Sequence, residues 1–407
     1  MRLFRTLPPA AAPLDWRDLW RGAAGLVAPV RARHALAREL RTQIGVGHVF
    51  LLSSGTAALT VALAGLRAFS GRTDVVIPAY TCYSVPAAVL KAKLQPRLCD
   101  IDPATFGFNP DRLEQAIDDR TLCVVAHHLF GIPSDVDRVR AICEARGAWV
   151  IEDAAQAMGG ISRGRPLGTI GDAGIFSFGR GKNVTAGHGG AVVTRREWLA
   201  GGIARQFGRL ETPSRGAEVR QLAAAALMAL FVRPRLYWIP AAVPALELGQ
   251  TIFPSDVRLQ QMSGVGAGLL RRWLTRLDTS NRLRAAHGAA LQAAAGQARR
   301  DPPVPYLRLP VLARDRSERE RLLARSQALG LGMSGGYPAP VSRIPALRGR
   351  FDPAAYPAAE FVAERMVTVP THRFVKRRDI QAISALLAGS EVCGPAGAPI
   401  AAGPHPM

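Results

Sequence analysis

A chain of 407 residues, 48% hydrophobic and 20% charged, is too long for one core and too apolar for a disordered protein, so two globular domains are expected. Lys and Arg outnumber Asp and Glu by 52 to 31, a formal charge of +21 that favours anionic partners such as phosphorylated substrates, nucleic acid or an acidic membrane surface. The basic residues are mostly arginine and dispersed, and no nucleic-acid-binding signature accompanies them, which sets nucleic acid aside.

The N-terminal "MRLFRTLPPAAAPLDW" lacks the apolar stretch of a secretory signal, so a cytoplasmic protein is expected. Cys82, Cys99, Cys123, Cys143 and Cys393 form no C-x-x-C pair, and read as buried free thiols of a reducing compartment rather than disulfides or metal ligands. "ALARELRTQIG" (35–45) predicts a helix stopped by Gly45. Seven short apolar runs then predict strands: "HVFLLSSG" (48–55), "DVVIPAY" (74–80), "QPRLCDID" (95–102), "LCVVAHHLFG" (122–131), "AWVIEDAAQ" (148–156), "AGIFSFG" (173–179) and "GAVVT" (190–194). Helical runs separate most of them, the first with Leu59, Leu63 and Leu66 on one face. The alternation predicts an α/β fold with a mostly parallel seven-stranded sheet flanked by helices, whose ligands sit at the carboxyl ends of the strands.

Past residue 215 the character changes. Two apolar runs, 222–232 and 236–246, flank Arg233, Pro234 and Arg235. Each run is shorter than the ~20 residues a spanning helix needs, and the central charges speak against one long span. An interfacial hairpin with Tyr237 and Trp238 at headgroup level is one reading; a helix pair buried at a dimer or domain interface is the other. A long helical stretch (257–297), a strand (306–313), a helix, a strand (366–372) and a last helix (377–389) predict a smaller α+β domain. The expected organisation is an N-terminal arm with helices (1–45), a large domain (46–250), a smaller C-terminal domain (251–392) and a disordered tail (393–407).

Chemistry concentrates at three of the strand ends. Asp153 ends a buried strand and needs a partner; a protonated pyridine nitrogen, as in pyridoxal phosphate (PLP), would supply one, and a helix cap or ion pair is the alternative. Gln156 lies one turn on, in reach of the ring hydroxyl. Ser54, Gly55 and Thr56 make a strand-to-helix turn able to take a phosphate, with Ser177 as a further hydroxyl. Lys182, in a loop rich in glycine, is placed to form a Schiff base with an aldehyde and then to move protons.

Taken together, "SSGTAAL", "EDAAQ" and "FSFGRGKN" resemble the DegT/StrS family of sugar aminotransferases, PLP enzymes of fold type I. The likeness extends through "PAYTCYSVPAAV" and "GIPSDVDRVRAICEARGAWV" and resumes at "GGYPAP" (335–340) and "VTVPTHRFVKRRDI" (367–380). The resemblance implies Lys182 as the lysine that binds PLP, Asp153 as partner of the ring nitrogen, Gln156 at the phenolic oxygen, and Ser177, Gly55 and Thr56 as the phosphate cup. It implies a homodimer with sites completed across subunits. It also implies an aminotransferase acting on a keto-sugar, nucleotide-linked or lipid-linked, with an amino-acid donor such as glutamate. A sugar dehydratase of the same fold and an inactive scaffold are the alternatives; retention of Lys182 with Asp153 and Gln156 argues for transamination. Cys82 replaces the aromatic residue the family stacks on the ring, with Tyr83 or Tyr80 as substitutes. His188 replaces an acid. Ser255 or Arg258 stands in for the family's cross-subunit phosphate contact, and Arg205, Arg209 and Arg215 are candidates for a substrate diphosphate or for a solvated face.

Overall fold

A computed structural model describes residues 5–243, 249, 251–295, 297–298, 300–390 and 392–393. The expected tail lies outside the described residues beyond Cys393, as do 244–246 of the second apolar run.

Two helices open the chain. In α1 (Trp16–Val27), Asp15 and Asp18 each accept the other's backbone N–H at 3.0 Å, a reciprocal cap. Helix α2 (Pro29–Ile44) starts on proline and stops at Gly45, which adopts φ 72°, a conformation open to glycine. Next come β1 (His48–Leu52), α3 (Gly55–Arg67), β2 (Asp74–Pro78), α4 (Ser84–Lys91), β3 (Gln95–Cys99), α5 (Pro110–Ala116), β4 (Thr121–His127), α6 (Val136–Glu144) and β5 (Trp149–Asp153). A two-residue hairpin, β6 (Ile161–Ser162) and β7 (Arg165–Pro166), precedes β8 (Ala173–Ser177) and β9 (Gly190–Thr194). Seven strands form one sheet in the order β1-β9-β8-β5-β4-β2-β3, parallel from β3 to β8, with β9 antiparallel to both neighbours. Strands β2 and β4 are buried at every residue, because helices cover both faces of the sheet. The expected seven strands and their mostly parallel arrangement are observed.

Beyond α7 (Glu197–Phe207), the two apolar runs do not form a helical hairpin over their described residues. The first belongs to a longer helix, α8 (Arg215–Phe231), and the described part of the second yields one short turn, α9 (Trp238–Ala241). Among the described residues no helix is long and apolar enough to cross a membrane.

The continuous helix expected over 257–297 is broken. Residues 258–262 instead run extended along the open edge of β1: Ser53 N donates to Gln260 O and Met262 N to Leu51 O, both at 2.9 Å. Satisfying that sheet edge outweighs local helix preference. Helix α10 (Gly264–Leu269) then starts under a Ser263 cap, and α11 (Trp273–Ala294) follows. Glycines let α10 meet α1 backbone to backbone: a Cβ on Gly268 would stand 2.1 Å from Arg21 O.

The second sheet, β11-β12-β10-β13, is antiparallel and contains β10 (Arg308–Ala313), β11 (Ser334–Gly335), β12 (Met366–Pro370) and β13 (Val392–Cys393). Helices α12 (Arg316–Leu329), α13 (Pro357–Arg365) and α14 (Arg377–Ala388) accompany it. Arg284 of α11 is fully buried and joins distant segments, donating to Leu307 O at 2.5 Å, Ala11 O at 2.9 Å and Ser280 Oγ at 3.1 Å. Burial, with Arg308 nearby, pulls its pKa down to about 10, so the guanidinium remains charged at neutral pH and the carbonyls balance it.

Gly268→Ala is expected to lower stability by about 2 kcal/mol through overpacking of the α1–α10 contact. Urea unfolding measures this; unchanged stability would show that α1 is not seated there.

Candidate active site

The parallel register aligns three strand ends. His127 of β4 pairs with Asp153 of β5, and Asp153 pairs with Ile175 of β8, two residues before Ser177. A cavity of ≈ 210 Å³ opens over these ends. Of the nine residues the sequence assigns to the site, eight line it: Ser54, Gly55, Thr56, Cys82, Asp153, Gln156, Ser177 and Lys182.

Ser54 caps α3, its Oγ accepting from Ala57 N at 3.0 Å, so the helix start faces the cavity with the Gly55 and Thr56 N–H groups unclaimed by the helix ladder. Gly55 is required by proximity, since a Cβ there would lie 2.9 Å from Ser177 Cβ. Lys182 sits in a loop of left-handed glycines, Gly181 (φ 73°) and Gly187 (φ 79°). Thr185 ties the loop down, donating to Gly179 O at 2.9 Å and accepting from Gly187 N at 2.9 Å. Among the described residues the Lys182 ammonium has no hydrogen-bond or ion-pair partner.

Asp153 and Glu152 point to opposite faces of β5, as strand alternation requires. Asp153 accepts from Ala155 N at 3.0 Å and meets no cation among the described residues. Glu152, with no solvent exposure, accepts from His128 Nε2 at 2.9 Å, Gly168 N at 2.8 Å, Gly171 N at 2.6 Å and also Ile170 N. Burial pushes its pKa up, but the His128 contact and the loop N–H groups outweigh that and hold it below the usual value. His128 Nδ1 accepts from Ser134 N, so Nε2 carries the proton given to Glu152.

Gln156 is held at both ends. Its Oε1 accepts from Phe130 N at 3.0 Å and its Nε2 donates to the Tyr337 hydroxyl at 2.7 Å. Phe130 adopts φ 57°, a strained value for a large side chain, and that backbone turn accompanies the N–H bond to Gln156.

Tyr83 does not reach the cavity. Its hydroxyl donates to Ala339 O and accepts from Ala339 N, both at 3.1 Å. Tyr80 treats Tyr337 similarly, accepting from its N–H at 3.0 Å. Both tyrosines are thus clasps on the segment 337–339, and neither takes the ring-stacking place. Cys82 does line the cavity, its Sγ 3.0 Å from the Ser84 hydroxyl that donates to it. The arginines proposed for a diphosphate lie elsewhere: Arg205 sits over the Phe69 ring at 5.5 Å, and Arg209 and Arg215 are exposed, with none of the three at the cavity.

Among the lining residues not assigned from the sequence are Thr81, His127 and Tyr337. His127 Nε2 donates to Phe106 O at 2.7 Å, which leaves Nδ1 to accept from the Thr81 hydroxyl at 3.0 Å. Burial lowers the His127 pKa, so the ring is neutral. Burial likewise raises Tyr337 well above the usual phenol value and keeps it protonated. His188 stands at the mouth, where partial desolvation and the Arg180 guanidinium keep its imidazole neutral at pH 7.

Residues 30–388 match the DegT/DnrJ/EryC1/StrS aminotransferase family. The chain belongs to that family. It is 36% identical over 198 residues to L-glutamine:2-deoxy-scyllo-inosose aminotransferase of Streptoalloteichus tenebrarius, covering 47% of this chain and 46% of the relative. It is 38% identical over 161 residues to UDP-N-acetyl-3-dehydro-alpha-D-glucosamine 3-aminotransferase of Acidithiobacillus ferrooxidans, covering 39% and 43%. Across four curated relatives the chain spans between 33% and 56% of their length. Helicobacter pylori PseC, an aminotransferase involved in the biosynthesis of pseudoaminic acid, superposes with TM-score 0.74 at 16% identity, covering 95% of this chain and 99% of that one. The fold is therefore that of fold-type-I aminotransferases.

The cavity fits PLP on its own chemistry. Among the described residues it offers a helix start for a phosphate, a carboxylate without a cation for a ring nitrogen, and an unpartnered amine for an aldehyde.

Glu152→Gln is expected to cost about 3 kcal/mol at pH 7, because the donors around it lose their anion. The depressed pKa of Glu152 contributes stability that is present above its ordinary 4.5 and lost as pH falls through the folded value, so the variant's acid limb flattens below that pH. Unfolding curves at neutral and acid pH report both effects.

Proposed function

We propose that this chain is a PLP-dependent aminotransferase that converts a keto-sugar into an amino sugar with an amino-acid donor such as glutamate. The observation that carries the reading is the convergence of Lys182, Asp153 and Gln156 on one cavity with the start of α3. In this reading Gly55, Thr56 and Ser177 hold the phosphate and Asp153 keeps the ring nitrogen protonated. The second Nε2 hydrogen of Gln156 is left for the ring oxygen, since the first is given to Tyr337. PLP supplies an electron sink for the pair left when a C–H bond breaks. Lys182 Nζ anchors the cofactor and, once displaced, takes the proton from the donor's α-carbon. Neutral His127 and protonated Tyr337 add hydrogen-bonding groups without adding charge.

The basic surplus supports a substrate with a diphosphate, nucleotide-linked or lipid-linked. The enzyme is proposed to act as a homodimer in the cytoplasm, with peripheral membrane contact involving 222–246. Arg258 is exposed at the start of the segment along β1 and Ser255 is exposed just before it, which supports their reaching a partner subunit's phosphate site. The large PLP-binding domain is assigned to 46–250 and the smaller one to 251–392.

Lys182→Ala is expected to reduce turnover by about a thousandfold or more while circular dichroism is unchanged. Full activity in that variant would overturn the assignment. Gly55→Ala is expected to weaken PLP binding by about tenfold, because its Cβ meets Ser177; titration followed by visible absorbance measures it. The reaction class is tested by adding glutamate or glutamine to the PLP-loaded protein and then a panel of keto-sugar nucleotides. A donor-dependent spectral change reversed by one keto-sugar supports the reading, and a spectrum indifferent to every donor sinks it.

A further inference from the structure

Helix α1 turns a narrow, capped edge toward the protein and a broad apolar stripe away from it. Asp18, Gly22 and Gly25 are buried, the glycines against α10. On the opposite side Trp16, Trp20, Ala24 and Val27 recur at i, i+4, i+8 and i+11, which makes one continuous face. Trp16 is 71% exposed, Trp20 74% and Val27 83%, far beyond what a folded protein leaves in water without a partner.

Helix α8 lies beside α1, with the Leu222 side chain reaching Gly22. It too buries one edge, Glu218, Ala225 and Ala229, and exposes Val219, Leu227 and Leu230. Nine of the fourteen exposed large hydrophobic residues described in the chain fall within 16–30 and 219–243. The apolar excess is thus local rather than scattered. Tyr237 and Trp238, the aromatic anchors expected from the sequence, are half-buried instead, Trp238 donating to Arg235 O at 3.1 Å.

Charge distinguishes the possible occupants. Within 16–38 the one acid is Asp18, and within 215–243 it is Glu218; both are buried. The exposed charges on these segments are all arginines, Arg17, Arg21, Arg31 and Arg38 on the first and Arg215, Arg220, Arg233 and Arg235 on the second. Two copies meeting through such faces would oppose arginine to arginine, which disfavours self-association. An anionic bilayer offers the complement, with headgroups for the guanidinium groups, an interfacial zone for the tryptophans and acyl chains for the aliphatic residues.

We propose that the α1–α8 face is a peripheral docking surface for anionic lipid, with Trp16 and Trp20 as its anchors. The surface is separate from the reaction cavity, and its test does not depend on the reaction. Full-length protein is sedimented with phosphatidylcholine vesicles carrying about one-third phosphatidylglycerol, and with pure phosphatidylcholine, at about 0.15 M salt. Binding to the first and at most weak binding to the second is expected. Trp16→Ser/Trp20→Ser is expected to weaken it by about tenfold or more, with circular dichroism and thermal unfolding unchanged. Arg17→Gln/Arg21→Gln, which leaves the apolar face intact, is expected to weaken binding and reduce its salt dependence.

Absence of sedimentation with anionic vesicles, or equal binding to both vesicle types, overturns the proposal. So does a tryptophan variant that binds undiminished. Conversion of a dimer to a monomer by the tryptophan substitutions, seen by sedimentation velocity, would also overturn it and assign the face to a second copy.

Discussion

A carboxylate removed from water must be surrounded by donors, and the order of this molecule's site follows from how Glu152 meets that demand. Its oxygens gather His128 and three backbone N–H groups of the 168–171 loop, so the end of β5 is fixed from behind. Because successive side chains of a strand face opposite ways, holding Glu152 in the interior turns Asp153 outward over the strand ends. The acid that faces a ligand is therefore aimed by the acid that does not. The parallel pairing of β4, β5 and β8 then sets His127 and Ser177 on either side of it.

Much of this was legible in the residues. The seven strands were visible because buried parallel strands are short, apolar and punctuated by helices, and the lysine loop was visible because glycines crowd around a solitary amine. What escaped notice depended on contacts between remote parts of the chain. Residues 258–262 have a helix-compatible composition, yet the unpaired edge of β1 draws them into an extended path. Tyr337 reaches Gln156 across 181 positions, and no local pattern announces that meeting. Tyr83 follows Thr81 and Cys82 closely enough to promise a place at the cavity, but the turn into α4 sends its ring toward Ala339. Two adjacent histidines looked alike in sequence; both line the cavity, but register and parity gave His128 to the buried acid and His127 to Thr81 and Phe106 O.

Cys82 and His188 shape the surroundings of the site more than its centre. Where Cys82 lines the cavity, the wall is small and polarisable. Aromatic area lies nearby: Tyr80 and Tyr83 pack against Tyr337, which itself lines the cavity, with ring centroids 5.6 and 6.3 Å apart. His188 brings a neutral ring to the mouth, so an anionic group approaching it meets no charge at that position.

The tyrosine clasps also bear on heredity. Residues 80 and 83 come from the first sheet's side of the chain, while the backbone they grip, 337–339, comes from the other end. A hybrid that kept residues 80 and 83 but took its last third from a cousin whose 337–339 backbone runs a different path would keep both sheets and lose the seam between them. The two segments must accordingly change together, and exchange of the C-terminal piece alone breaks their grip.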